Sequence, residues 1–289
     1  MQKCGHVALA GVPNVGKSSL LNAIVGQHLA IVSPKPQATR LPVVGLHTTE
    51  HAQFIFHDLP GLLEPRYMMQ ARMRRAALDQ LARCHAILYL HPALGGVAPD
   101  FITLAGLEVP PAAPVVTAYT KADLASDAAR RALGPGVLLV SAETGEGIPG
   151  LLDRLAGLLP EAPFEFDPDD AGTQPLRFFV VEFLREAAFE ALEDELPYAF
   201  TAEVEEFREH SSPVYIRVTL LVERESQKGM VIGRGGRTLK AIGAHARARL
   251  ESLLGAPVYL DCWVKVLPNW RRNAAALTRL GFPDEPPGS

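Results

Sequence analysis

The sequence predicts an α/β domain built on a parallel sheet, followed by a smaller α+β domain. Three observations carry this reading. Over the first 160 residues, short apolar runs alternate with stretches of helical periodicity, the pattern of a parallel sheet covered by helices on both faces. From Glu161 to Pro175 (EAPFEFDPDDAGTQP) proline and aspartate interrupt that pattern, as they do in linkers. Beyond the break two strand-like runs follow one another directly, and the balance of charge changes.

The strand-like runs of the first part are Val7–Ala10, Val43–His47, Gln53–His57, Ala86–His91, Val115–Tyr119 and Val137–Val140. Between them, Met69–Arg83 places Met69, Met73, Ala76, Ala77 and Leu81 at helical spacing, and Ile148–Leu159 is the last helix before Pro160. In the second part Leu176–Glu195 reads as an amphipathic helix and Thr201–Glu209 with Val214–Arg224 as an antiparallel pair. Thr238–Leu254 reads as a helix, Val258–Val266 as a strand and Ala274–Gly281 as a short helix. The expected division is a domain at 1–163, a linker at 164–175, a domain at 176–282 and a frayed tail at 283–289.

Composition narrows the class. Apolar residues make up 48% and charged residues 21%, enough for a packed core and unlike a disordered chain. No apolar run reaches the roughly 18 residues of a membrane-spanning helix, and the N-terminus lacks the apolar segment and cleavage site of a signal peptide. A cytoplasmic location is therefore expected. Cys4, Cys84 and Cys262 are far apart, which suits reduced thiols rather than a disulfide framework or a zinc site. The net charge of −4 conceals a split. Glu182–Glu209 holds ten acids and two bases, whereas Arg224–Arg272 holds ten bases and three acids. A clustered basic segment is the electrostatic footprint of a nucleic-acid binder.

Gly11-Val12-Pro13-Asn14-Val15-Gly16-Lys17-Ser18 matches G-x-x-x-x-G-K-[ST] between a strand and a helix, with Ser19 next in the helix. In that context the loop's N–H groups converge on phosphate oxygens, and the helix N-terminus adds partial positive charge. Lys17 reaches the terminal phosphates and Ser18 ligates Mg²⁺. Asp58-Leu-Pro-Gly61 closes a strand whose end faces the phosphates. Asp58 there holds Mg²⁺ through water, and the Gly61 N–H is within reach of a γ-phosphate. Lys35-Pro-Gln-Ala-Thr39-Arg40 is a polar loop without periodicity, expected to act as a switch when Thr39 ligates Mg²⁺. Thr120-Lys121-Ala-Asp123 follows another apolar strand. The Asp123 carboxylate accepts two hydrogen bonds, matching the ring NH and exocyclic amine of guanine but nothing on adenine. The stem of Lys121 lies over the base, and Ser141-Ala142-Glu143 offers a backbone N–H to the guanine oxygen.

In this order the motifs resemble the five boxes of a translation-factor-type GTPase. The resemblance implies GTP and GDP as ligands with Mg²⁺ as cofactor, and Asn14, Lys17, Thr39 and Gly61 as the catalytic set. Thr120 departs from the usual Asn. Leu62 stands where Ras-like enzymes carry a water-positioning Gln, so the chain is similar to GTPases with a hydrophobic residue there. Several of those use K⁺ held partly by an Asn at the position of Asn14. A phosphoryl-transferring kinase or ATPase is the competing class, disfavoured by Asp123 and the segment from Ser141 to Glu143.

Met230-Val-Ile-Gly233-Arg234-Gly235-Gly236 follows a strand and Lys228-Gly229, and precedes a helix carrying Arg237, Lys240, Arg247 and Arg249. This resembles the KH signature, in which a Gly-rich loop lies against the nucleic-acid backbone. Lys228, Gly233, Arg234, Gly235, Gly236, Arg237, Lys240 and Arg247 are the expected RNA contacts. Trp263 and Trp270 lie among the bases; Trp263, on a strand, is expected in the core.

Taken together, GxPNVGKSSLLN, KPQATR, Ser141–Gly145 (SAETG), Glu195–Tyr198 (ELPY), VERESQKGMVIG and Trp263–Val266 (WVKV) identify the chain as similar to the Era family over essentially its full length. Leu59, where DTPG is usual, is a further departure. The family implies a P-loop NTPase domain followed by an α+β type II KH domain of α-β-β-α-α-β order. It also implies binding to the 3′ end of small-subunit ribosomal RNA, a role in 30S subunit assembly, a monomer, and peripheral association with the inner membrane. A nucleotide-gated RNA chaperone with negligible hydrolysis stays open beside the GTP-hydrolysing switch.

Overall fold

A computed structural model describes residues 1–284. They form two compact units, one of Met1–Arg66 with Gln70–Thr173, the other of Tyr67–Met69 with the chain from Gln174 onward. Of the tail expected to fray, 285–289 lie outside the described residues.

The first unit runs β1 (Lys3–Ala10), α1 (Lys17–Val25), β2 (Val43–Thr48), β3 (Ala52–Asp58), α2 (Met68–Leu81), β4 (Ala86–Pro92), α3 (Phe101–Ala105), β5 (Val115–Thr120), α4 (Asp127–Ala132), β6 (Leu138–Leu139) and α5 (Ile148–Ala156). The strand order is β2-β3-β1-β4-β5-β6. All neighbouring pairs are parallel except β2 with β3. The sheet is therefore mixed, not wholly parallel as the strand–helix alternation suggested. Only Thr49, Glu50 and His51 join β2 to β3, too short a connection for the crossover that a parallel pair requires. The Thr49 hydroxyl closes the turn, bonding to both the N–H and the carbonyl of Ala52 at 3.0 and 3.1 Å. β3 is buried at every residue, as suits an inner strand covered on both faces.

The segment expected as a linker is packed on this unit. The Gln53 side chain accepts from the N–H groups of Glu165 and Phe166 at 2.8 and 3.0 Å and donates to the Phe166 carbonyl at 2.9 Å. Phe164 and Phe166 pack on Cys4, Leu46 and Ile55. Two phenylalanines in a proline-rich run have apolar area to bury, and this outweighs the loop-forming tendency of the prolines.

The second unit runs α6 (Leu176–Ala191), α7 (Leu196–Ala199), β7 (Thr201–Arg208), β8 (Val214–Val222), α8 (Glu225–Ile232), α9 (Arg237–Leu254), β9 (Val258–Val266) and α10 (Ala274–Arg279). Its sheet is β7-β8-β9, with β7 antiparallel and β9 parallel to β8. α6 buries Phe179, Val180, Phe183, Leu184, Ala187 and Ala188, and α9 buries Ile242, Ala246 and Leu250. The helix expected over 176–195 is shorter, since α6 stops at Ala191, and a separate short helix, α7, starts only at Leu196.

Trp263 is not in the core, where its strand position led it to be expected. Trp263 is 60% exposed, whereas Trp270 is fully buried and its indole N–H donates to the Ala199 carbonyl at 2.9 Å. Successive residues of β9 face opposite sides of the sheet. Val258 is buried, while Tyr259 and Trp263, an odd number of residues further on, are exposed. Being on a strand fixes only alternation, not which face is covered.

Trp270→Phe leaves a buried carbonyl without its donor and a void the size of the lost ring. A loss of about 1–3 kcal/mol is expected for the second unit. Urea unfolding followed by circular dichroism checks it, and an unchanged midpoint would contradict the buried indole bond.

Candidate nucleotide and nucleic-acid sites

The C-terminal ends of parallel strands share one edge of a sheet, so the loops after β1, β3, β5 and β6 meet there although they are far apart in sequence. The loop after β1 turns through Gly16, in the left-handed region at φ 99°, into α1. The Lys17 side chain curls back and its ammonium donates to the Gly11 and Val12 carbonyls at 3.2 and 3.0 Å. Burial pulls its pKa down to about 8, and the attraction of Asp58 only partly offsets this. The loop thus holds a positive charge out of water, a standing demand for an anion.

Three oxygen-bearing side chains meet beside it. The Asp58 Oδ2, on a fully buried carboxylate, accepts from the Ser18 hydroxyl at 2.6 Å and from the Thr39 hydroxyl at 3.2 Å. The two hydroxyl oxygens are 3.1 Å apart. An all-oxygen set with one carboxylate fits a hard divalent cation that keeps several waters, as Mg²⁺ does. Thr39 is itself buried, so the loop carrying it folds over the phosphate cradle. The Asn14 amide holds that loop from below, donating to the Pro34 carbonyl at 2.6 Å.

Gly61 presses against the same cradle. A Cβ there would come within 2.7 to 3.0 Å of Pro13 atoms, so only glycine allows its backbone so near. The following Leu62 is buried and packs in the core with Leu59, away from the cradle. Pro13, Asn14, Gly16, Lys17, Thr39 and Gly61 are among the residues lining a cavity of about 370 Å³.

A second cavity of about 350 Å³ adjoins the first, and Gly16, Ser19 and Lys121 line both. Thr120, Asp123, Ala142 and Glu143 line the second. Asp123 is exposed toward it, and its Oδ1 accepts from the Ser141 hydroxyl at 2.6 Å. Ser141 is fully buried and does not line the cavity. Its hydroxyl also accepts from the N–H groups of Glu143 and Thr144, both at 3.2 Å. Ser141 is thus placed to orient Asp123, and Ala142 and Glu143 are the residues of that loop that reach the cavity. The Thr120 hydroxyl donates to the Val15 carbonyl at 2.6 Å. It ties the end of β5 to the loop after β1, although Thr120 stands where Asn is usual.

In the second unit Gly233 ends α8, and Arg234–Gly236 make one tight turn before α9. The loop follows a helix, not a strand. α8, which the family's element order implies, leaves no periodicity of its own in the sequence because Gly229 and its polar neighbours dilute the apolar pattern. Its start was marked by Gln227, whose side-chain oxygen accepts from the Glu223 and Arg224 N–H groups at 2.9 and 3.1 Å. Gly233, at φ 71°, leaves no room for a Cβ, which would lie 2.2 Å from the Thr238 hydroxyl. Gly235 has open space around it. Arg234, Arg237, Lys240 and Arg247 are exposed and Lys228 is half-buried. Arg249 instead pairs with the buried Glu186 of α6 at 3.5 Å, which takes it out of the basic surface.

Residues 6–121 match the family described as "50S ribosome-binding GTPase" and residues 195–271 match the KH domain family. The chain is 36% identical to "GTPase Era" of Carboxydothermus hydrogenoformans, over 97% of its own length and 98% of the relative's. It is 38% identical to "GTPase Era" of Nocardioides sp., over 97% and 96%. Among solved structures, a variant of Aquifex aeolicus Era bound to GDP·AlF₄⁻ superposes with a TM-score of 0.90 at 32% identity, over 97% of this chain and 99% of that one. Era in complex with MgGDPNP and nucleotides 1506–1542 of 16S ribosomal RNA superposes with a TM-score of 0.87 at 31% identity, over 98% and 99%.

The depressed Lys17 pKa has a consequence for stability. Below about pH 8 the folded and unfolded chains both carry the ammonium, and folding bears the full cost of burying it. From pH 8 toward its ordinary value of 10.5 the folded chain releases the proton first, so this group's contribution rises with pH. The stability of wild type relative to Lys17→Met is therefore expected to increase by about 3 kcal/mol across that window. Nucleotide-free denaturant titrations of the two proteins at several pH values measure it. A pH-independent difference would mean that the ammonium is solvated.

Proposed function

The chain belongs to the Era family of GTPases, and from that membership we propose that it binds GTP across the two joined cavities, hydrolyses it there, and holds the 3′ end of small-subunit ribosomal RNA on its KH unit during 30S assembly. It is a GTP hydrolase; the residue roles and the RNA are our reading. One observation carries it: the cavity that Asp123 faces and the cavity around Lys17 share Gly16, Ser19 and Lys121 as a common wall. A base and its phosphates then lie in one continuous site.

In this reading the N–H groups of Asn14–Ser19 and the Lys17 ammonium take the phosphates, and Ser18, Thr39 and Asp58 supply the oxygens for Mg²⁺. The metal neutralises charge that develops between the β- and γ-phosphates. Asp123, oriented by Ser141, accepts the two adjacent donors of guanine, and adenine would leave that carboxylate unsatisfied. Thr39 ties its loop to the γ-phosphate, and the Gly61 N–H faces it from the other side. Leu62 is turned into the core and cannot orient a water. The charge of the transition state is left to backbone dipoles and Lys17, and a monovalent cation, if held by the Asn14 side-chain oxygen, would add to them. The Asn14 amide nitrogen is engaged by Pro34, which leaves its oxygen as the end suited to K⁺.

On the second unit, the open backbone at Gly235 and Gly236 lets a sugar–phosphate chain approach, and Lys228, Arg234, Arg237, Lys240 and Arg247 supply a salt-sensitive attraction. The relative solved with 16S nucleotides is the reason for naming this RNA. Cytoplasmic residence, a monomeric state and peripheral contact with the inner membrane belong to the same family reading. No helix among the described residues is long and apolar enough to cross a membrane.

Two experiments test the reading. Lys17→Ala is expected to abolish GDP and GTP binding yet leave binding of a short 16S 3′-end RNA intact. Gly235→Asp is expected to do the reverse, since it sets a carboxylate against the phosphodiester chain in space the fold leaves open. RNA affinity unchanged in Gly235→Asp would misplace the RNA surface. Phosphate release is also expected to be about tenfold faster in K⁺ than in Na⁺, with Asn14→Ala erasing the difference. Equal rates in both salts for wild type would remove the cation from the reading.

A further inference from the structure

The segment after Gly61 is anchored at its start by Leu62, after which Leu63, Glu64, Pro65 and Arg66 are all exposed. The side chain of half-buried Gln70, on the first turns of α2, gathers it back. The Gln70 Oε1 accepts from the Arg66 N–H at 2.8 Å, and its Nε2 donates to the Gln37 Oε1 at 2.9 Å. Gln37 stands two residues before Thr39, lines the phosphate cavity, and is held at a φ of 61°, a conformation rarely adopted without cause by a residue other than glycine. One amide therefore grips both loops that flank the phosphates. Its carbonyl holds the loop after Gly61, and its NH₂ holds the loop that carries Thr39.

We propose that Gln70 is a positioning residue that couples these two loops, so that ordering of Thr39 over the phosphates also orders the chain from Gly61 to Arg66. This rests on the reading of the Thr39 loop as a nucleotide-sensing switch. The physical basis is specific. Gln70 contributes an acceptor and a donor from two separate atoms of one side chain, so that each end of the amide can hold a different loop. A carboxylate keeps the acceptor and loses the donor.

The full chain carries the test. Gln70→Glu retains the bond to the Arg66 N–H but removes the donor to the Gln37 oxygen. It is expected to slow single-turnover GTP hydrolysis about tenfold, the worth of a hydrogen bond made when the loops are closed. Affinity for a fluorescent GDP is expected to be unchanged. The double variant Gln37→Lys/Gln70→Glu rebuilds the link as an ion pair and is expected to return the rate to within about threefold of wild type. Limited trypsinolysis gives a readout that lost stability alone would not produce. In wild type a non-hydrolysable GTP analogue is expected to slow cleavage after both Arg40 and Arg66, and in Gln70→Glu after Arg40 only. A wild-type rate in Gln70→Glu, a double variant no faster than the single, or retained protection at Arg66 each overturns the coupling. If the analogue does not protect Arg40 in wild type, the underlying switch reading fails, and the inference fails with it for that distinguishable reason.

Discussion

The Ser18 hydroxyl, the Thr39 hydroxyl and the Asp58 carboxylate are drawn from a helix start, a loop and a strand end, and they meet within hydrogen-bonding distance of one another. That convergence depends on β3 lying beside β1 in the sheet. The register pairs Leu9 with Asp58, which puts the strand's terminal carboxylate level with the beginning of the phosphate loop. Asp58 is fully buried, so it is compatible with the fold only where hydroxyls or a cation satisfy it. The Thr39 hydroxyl is one of the groups that satisfy that carboxylate, so the Thr39 loop is tied to it.

A second buried charge works in the opposite sense. The Lys17 ammonium sits among backbone carbonyls, and desolvation weakens its hold on its proton. Phosphate oxygens arriving nearby would restore it, which links nucleotide affinity to the relief of a cost already present in the fold. Around these two charges the remaining contacts are braces. Thr120 reaches the Val15 carbonyl, Ser141 reaches Asp123 and Asn14 reaches Pro34. Each joins the end of one segment to another segment, and each limits the freedom that substrate binding would otherwise have to freeze.

The second unit obeys a different constraint. Its three-stranded sheet is covered by α6 and α9, and the other face is not built into that core. The consequence is an alternation along β9 that leaves Tyr259 and Trp263 exposed. Acidic side chains of α6 face basic ones of α9, as Glu186 with Arg249 and Glu190 with His245. The separation of an acidic and a basic stretch in the sequence is therefore partly internal pairing, and the basic surface left for a partner is smaller than the count of bases implied.

The sequence alone determined the parts whose physics is local. A glycine loop between a strand and a helix, an aspartate at a strand end, a GxxG loop before a basic helix, and the periodicities of 2 and 3.6 each follow from conformational preferences and side-chain chemistry over a few residues. Tertiary structure decided everything that depends on which surface is covered or which distant segment arrives. It made β2 antiparallel and packed Phe164 and Phe166 on the first unit. It buried Trp270 and exposed Trp263, and gave Ser141 the role of holding Asp123. It also brought Gln70, which belongs to no motif, to Gln37. A side chain's partner across the fold is set by strand register and helix packing, and those are properties of the whole chain's burial, not of any short stretch of it.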